Sequence, residues 1–177
     1  MLWEQRLLAL FDDLELQAEG LALAERDGEV SDLARAEYAR LELADRLHGN
    51  LGARLALGLG PSATVEGVTR QLGRDWLLLE EAGHEWVIRL AAISFVRGLT
   101  ERSLAAAARP LTARLGVGSV LRRLAEAGDE VVVQSLHGDR QRGVLGRVGA
   151  DFVELGGPAG RPVDVVPFGA FAGIRRG

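Results

Sequence analysis

His48, His84 and His137 are the side chains best suited to proton transfer or metal binding at neutral pH, but they lie far apart in the chain. Without an H-E-x-x-H pair or any cysteine they have no ligand spacing, and they read as surface histidines. General acid–base work needs carboxylates held in a pocket, whereas Glu80-Glu81 and Asp129-Glu130 fall at the ends of predicted strands and read as solvated. No serine stands in a G-x-S-x-G elbow, so nucleophilic catalysis has no candidate. A Walker loop requires lysine, and all 21 basic residues here are arginine. The segments from Gly58 (GLGPSA) and Gly116 (GVGSVL) do not complete a dinucleotide fingerprint and read as turns. The expectation is a protein without catalytic residues, metal or cofactor.

Arginine offers a different chemistry, the binding of phosphates and bases. Arg74, Arg97, Arg147 and Arg175 are the candidate nucleic-acid contacts, one pair in each of two similar stretches described below. The segment LTARLGVGSVLRRLAEAGDEV invites comparison with a helix-turn-helix. Pro110 limits what precedes it, and a helix capped by Ser119 and ending near Ala127 leaves little recognition surface. Charge is unevenly distributed. Residues 1–48 hold 12 acidic and 5 basic residues, while residues 49–177 hold 16 basic and 13 acidic, so an acidic arm precedes a body with a charge of only +3. That is far below the basic footprint of a dedicated nucleic-acid binder.

The elements that must position these groups fall into two classes. From the N-terminus, Trp3, Leu7, Leu10, Leu14 and Leu21 follow a coiled-coil-like spacing that makes an association seam. Asp27-Gly28 interrupts it, and Val30, Ala34, Tyr38, Leu41, Ala44 and Leu47 line a second helical stretch, giving a hairpin or a bent helix over residues 1–48. No stretch reaches the roughly 20 apolar residues of a membrane span, and the first residues lack a signal-peptide pattern, so a cytoplasmic location without membrane contact is expected. The lack of cysteine agrees with a reducing compartment.

Past Gly49 the pattern changes to short β-rich runs separated by glycine. The stretch from Leu43 aligns with that from Val120, pairing Gly67 with Gly143, Gly73-Arg74-Asp75-Trp76 with Gly149-Ala150-Asp151-Phe152, Leu79 with Leu155 and Ile93 with Phe171. Strands are predicted at 54–59, 64–71, 76–81, 85–90 and 94–97, and again at 130–135, 140–147, 151–155, 163–166 and 171–175. A glycine inside each long second strand lets the sheet bend, which predicts two tandem five-stranded bent barrels at 49–99 and 129–177 joined by a linker with a short helix at 100–128. The fold class is thus α+β. Trp76, Trp86 and Phe152 are expected in the core, with Trp86 also a candidate anchor for a partner.

Val65 and Gly67, followed by Asp75-Trp76-Leu77-Leu78-Leu79 and by Phe95-Val96-Arg97-Gly98-Leu99, resemble the Sm-like fold. Arg97-Gly98 matches an Arg-Gly pair of that family, while the second stretch offers Ile174-Arg175-Arg176-Gly177. The resemblance places Gly73 and Gly149 where the family has aspartate, and Leu77 and Val153 where it has the base-contacting asparagine, which implies loss of the uridine pocket. Across its whole length the chain resembles a family of uncharacterised actinobacterial proteins with an acidic helical N-terminus, an R-L-G-x-G segment (here Arg114-Leu115-Gly116-Val117-Gly118) and an L-R-x-L-A segment (Leu121-Arg122-Arg123-Leu124-Ala125). That likeness implies no activity. Two functions follow as expectations: assembly with a protein partner or a second copy through strand edges and the arm, or regulation through RNA or other nucleic acid.

Overall fold

A computed structural model describes residues 17, 19–20, 30–60, 63–156 and 163–176. The chain divides into two compact units, residues 1–42 and 43–177. In the first, residues 30–38 form helix α1, with Val30, Leu33 and Tyr38 exposed. The predicted seam residues Trp3, Leu7, Leu10, Leu14 and Leu21 lie outside the described residues.

The second unit opens with helix α2 (Leu43–Gly49) and strands β1 (Arg54–Leu59), β2 (Ala63–Leu72), β3 (Trp76–Glu81), β4 (His84–Arg89) and β5 (Ile93–Arg97). Short 3-10 turns at Ala106–Ala108 and Leu111–Arg114 lead to helix α3 (Val117–Ala127), then β6 (Glu130–Ser135), β7 (Arg140–Val148), β8 (Phe152–Gly156), β9 (Asp164–Pro167) and β10 (Phe171–Arg176). These strands begin and end within two residues of the sequence expectation.

Their assembly differs from it. Instead of two tandem five-stranded barrels, the described residues form one open antiparallel sheet of ten strands, in the order β5-β1-β2-β3-β4-β10-β6-β7-β8-β9. The physical reason lies at the centre. An unpaired strand edge leaves a row of N–H and C=O groups unsatisfied. The outer edge of β4 meets this demand by pairing with β10, through Ile88↔Gly173, Val87↔Ile174, Trp86↔Arg175 and Glu85↔Arg176. Neither half needs to close on itself, and the Sm-like barrel expectation is overturned with the closure.

Packing explains why the two halves cannot be separate domains. Successive side chains of a strand point to opposite faces, and in β4 Trp86 and Ile88 join one apolar cluster while Val87 joins another. The first cluster gathers Leu47 of α2 with Leu55, Leu57, Leu59, Leu77 and Leu79, and also takes Ala172 from β10. The second gathers Val117, Leu121 and Leu124 of α3 with Val131, Val133, Val153 and Ile174, and takes Trp76 and Val87 from the first half. Three consecutive buried residues in β4, Trp86-Val87-Ile88, are the mark of a strand covered on both faces.

The N-cap of helix α3 is Gly116, not Ser119, and the capping contact is long-range: Asp75 Oδ1 accepts the Val117 N–H at 2.8 Å. It ends at Gly128, whose φ of 69° is the left-handed conformation that glycine adopts without penalty. Only four-residue and three-residue 3-10 turns precede it among the described residues from Thr100 onward, so no helix-turn-helix forms.

Candidate functional site: the free edges of the sheet

Among the described residues two strands, β5 and β9, each pair on one side only, β5 with β1 and β9 with β8. Their relation to the central junction is set by register. Leu55 faces Gly67 and Val131 faces Gly143; Leu57 faces Val96 and Val133 faces Ile174; Leu79 faces Trp86 and Leu155 faces Asp164. Even the irregularity recurs, with a register shift between Gly58 and Leu59 against β5 and one between Phe171 and Gly173 against β6. Strand β5 therefore occupies in the first half the place of β10 in the second, and β9 occupies the place of β4. The two strands that pair at the centre have counterparts whose edges are open.

Each open edge carries apolar side chains beside one charge. On β5, Phe95 is exposed, and the Arg97 guanidinium stacks over its ring at 4.6 Å. Gly58 makes room for that ring, since a Cβ there would collide with it. On β9, Val165 is 59% exposed and flanked by exposed Asp164, with Val163 at 56% just before the strand. Isolated exposed valines are ordinary, but a row of them on an unpaired strand is a surface that favours pairing. Beside β9 lies a cleft of about 310 Å³ lined by Val133, Ser135, Asp139, Gln141, Asp164 and Phe171. Its Ser135 Oγ is engaged in the β6–β7 turn, accepting the N–H groups of His137 at 3.2 Å and Asp139 at 3.1 Å.

The four candidate nucleic-acid arginines fall on four different elements. Arg74 lies in the β2–β3 turn, in a shallow cleft with Arg122 and the start of α3. Arg97 is on the β5 edge. Arg147 on β7 is held by Glu154 through two hydrogen bonds of 2.8 and 3.1 Å, which raise the guanidinium pKa and lower that of the Glu154 carboxyl. Arg175 on β10 lies 6.0 Å from the Trp86 ring. A different cluster was missed from sequence: Arg140, Arg142 and Arg175 line one hollow beside Val132. The alternation Arg140-Gln141-Arg142 signals that both arginines share a face, but their meeting Arg175 depends on Val132 standing between Arg142 and Arg175 in the sheet.

Two expectations about aromatic and titratable groups change. Trp86 is 4% exposed, with its Nε1 donating to Glu81 Oε2 at 2.8 Å, so it is core and offers no anchor to a partner. His48, expected at the surface, is 4% exposed next to the Asp45–Arg109 ion pair, whose closest approach is 2.7 Å. Burial and the Arg109 charge push its pKa down against the opposing pull of Asp45. Helical period places His48 one residue from Leu47, which points to burial only if the helix is covered on two sides.

Among the described residues no group of three or more His, Asp or Glu side chains is placed to hold a metal ion, and no helix is long and apolar enough to cross a membrane. No family model matches the sequence, and no curated protein matches it, so what the chain does must be read from the geometry of its sheet.

Proposed function

We propose that the protein is a non-catalytic assembly or adaptor protein of the cytoplasm whose working surfaces are the open strands β5 and β9, with the N-terminal arm and its Trp3, Leu7, Leu10, Leu14 and Leu21 seam as a second contact. The observation that carries this reading is the positional match of β5 with β10 and of β9 with β4: the chain already uses these two kinds of edge to hold itself together. Strand addition supplies main-chain hydrogen bonds for affinity and side-chain pockets for selectivity, and the cleft beside β9 offers such a pocket. The cysteine-free composition suits a reducing cytoplasm.

The test uses the tagged full-length chain in its native host. Phe95→Glu and Val165→Lys change exposed side chains and place a charge on each open edge without touching the central junction. Partners held by strand addition are lost from one variant or the other while thermal unfolding stays within a few degrees of wild type. A partner set that is unchanged in both variants overturns the reading.

A second reading, binding of RNA or another nucleic acid in regulation, draws support from the Arg140, Arg142 and Arg175 hollow. Backbone binding of this kind weakens steeply with salt. Retention of labelled RNA that falls with salt, and that Arg140→Ala with Arg142→Ala abolishes, would favour it.

A further inference from the structure

We propose that the partner of each open edge is a second copy of this chain, joined head to tail, with β9 of one molecule pairing antiparallel to β5 of the next in the register of the β4–β10 junction. The inference rests on the assembly reading above and names its partner.

The register follows from the strand pairings on either side of each edge. At the centre, Ile88, Val87, Trp86 and Glu85 of β4 face Gly173, Ile174, Arg175 and Arg176 of β10. The β3 residues that face Ile88, Val87 and Trp86 are Leu77, Leu78 and Leu79, and the β8 residues that face Val166, Val165 and Asp164 are Val153, Glu154 and Leu155. Val166, Val165 and Asp164 thus stand in the places of Ile88, Val87 and Trp86. In the same way Phe95, Val96 and Arg97 face Gly58, Leu57 and Ala56, as Gly173, Ile174 and Arg175 face Gln134, Val133 and Val132. Transferring the central register to the open edges sets Val166 against Phe95, Val165 against Val96, and Asp164 against Arg97.

Each of these pairs is favourable. Val165 with Val96 repeats the apolar pair Val87–Ile174, which belongs to the second core cluster. Asp164 with Arg97 sets opposite charges directly across the strands, where opposite charges stabilise and like charges repel. The aromatic ring changes sides. At the centre Trp86 lies on the β4 strand and Gly173 leaves it room, since a Cβ at Gly173 would stand 3.3 Å from the indole. At the open edges the smaller Asp164 takes the place of Trp86 and Phe95 takes the place of Gly173, so one aromatic ring fills the junction in both cases.

The contact joins two different surfaces and leaves a free β5 and a free β9 at the ends of any open oligomer. Such a heterologous interface grows until it closes into a ring or extends as a fibre.

Because the chain has no cysteine, single introduced cysteines report the register. Directly opposed antiparallel residues lie about 4.5 to 5.5 Å apart at Cα, within disulfide reach. An oxidised mixture of full-length Val165→Cys and Val96→Cys is expected to yield covalent two-chain product, whereas Val165→Cys with Arg97→Cys, which projects to the other face, is not. In parallel, the solution mass of the wild type is expected to rise with concentration above 19.0 kDa and to return to that value in Val165→Lys, whose site is exposed and leaves the fold intact. A wild type that stays at 19.0 kDa at every concentration, or cross-links that form equally in both registers, overturns the proposal. If the mass stays monomeric while a different protein is still captured through Phe95 and Val165, self-pairing fails and the assembly reading stands; if neither occurs, both fail.

Discussion

Asp75 caps a helix 42 residues downstream: its Oδ1 accepts the Val117 N–H at 2.8 Å and so fastens the β2–β3 turn to the first turn of α3. The same turn makes two further bonds to that segment, from Arg74 N–H and Trp76 Nε1 to the Leu115 carbonyl, both at 2.9 Å. A helix start leaves N–H groups without intrahelical partners, and a carboxylate there also meets the positive end of the helix dipole. Asp75→Ala is expected to lower unfolding free energy by about 1 kcal/mol, the usual effect of losing a cap. Urea titration of both proteins checks it, and an unchanged midpoint would show that α3 is held by its apolar face alone.

Asn50 is the polar knot of the first half. It is 3% exposed; its Oδ1 accepts the Thr100 N–H at 2.9 Å and the Thr100 hydroxyl at 2.7 Å, and its Nδ2 donates to the Arg46 carbonyl at 2.8 Å and the Arg102 carbonyl at 3.1 Å. Asn50→Ala removes both halves of the amide and strands buried partners, at a cost of about 2 to 3 kcal/mol. Asn50→Asp keeps the acceptor and loses the donor, so it should also destabilise. If Asn50→Asp matches wild type in thermal unfolding, the donor side of the knot is dispensable.

Gly67 and Gly143 meet the same obstacle in the two halves. A Cβ at either position would run into a carbonyl oxygen of the neighbouring strand, Glu80 for the first and Gly156 for the second. Backbone cannot swing away as a side-chain tip does, so Gly67→Ala and Gly143→Ala should each destabilise by about 1 to 3 kcal/mol, the range of overpacked sites. Comparing both with Gly83→Ala separates crowding from conformation, because Gly83 has open space but a φ of 86°. Full stability in Gly143→Ala with loss in Gly67→Ala would show that the second half relaxes around the added methyl.

His48 gives the fold a pH dependence. Its pKa in the folded chain is lowered, by burial first and by the Arg109 charge second, while the unfolded histidine titrates near the ordinary 6.5. The unfolded state then binds the proton more readily, so this contribution is complete above about pH 6.5 and is lost as pH falls toward the folded value. Between pH 8 and 5 the melting temperature of wild type should fall relative to that of His48→Leu as the pH drops. The Glu154 carboxyl, also lowered, acts in a separate window below its ordinary 4.5. Parallel pH curves for wild type and His48→Leu would remove His48 as the cause.

Much of the local structure is legible in the chain. Period-two alternation in Leu55, Leu57 and Leu59 marks β1, and the glycines at 83 and 138 mark the turns that end β4's partner β3 and precede β7. The correspondence of Gly67 with Gly143, and of Trp76 with Phe152, is visible before any coordinates because a strand that must bend, or a ring that must cover a turn glycine, restricts which residue can stand there. Local sterics act over a few residues, and the sequence records them directly.

What the tertiary structure alone decides is where each edge finds its hydrogen bonds. Backbone N–H and C=O groups are the same in every residue, so nothing in the side chains of His84–Arg89 declares whether β4 closes a barrel with its own half or pairs with β10. The outcome turns on the joint packing of Trp86, Val87, Ile88 and Ile174 on two faces, and that packing is a sum over residues nearly ninety positions apart. The same non-local choice buries His48, brings Arg140 and Arg142 to Arg175, and leaves Phe95 and Val165 uncovered, because each of these depends on which strand lies alongside and none depends on the residue's own neighbours in the chain.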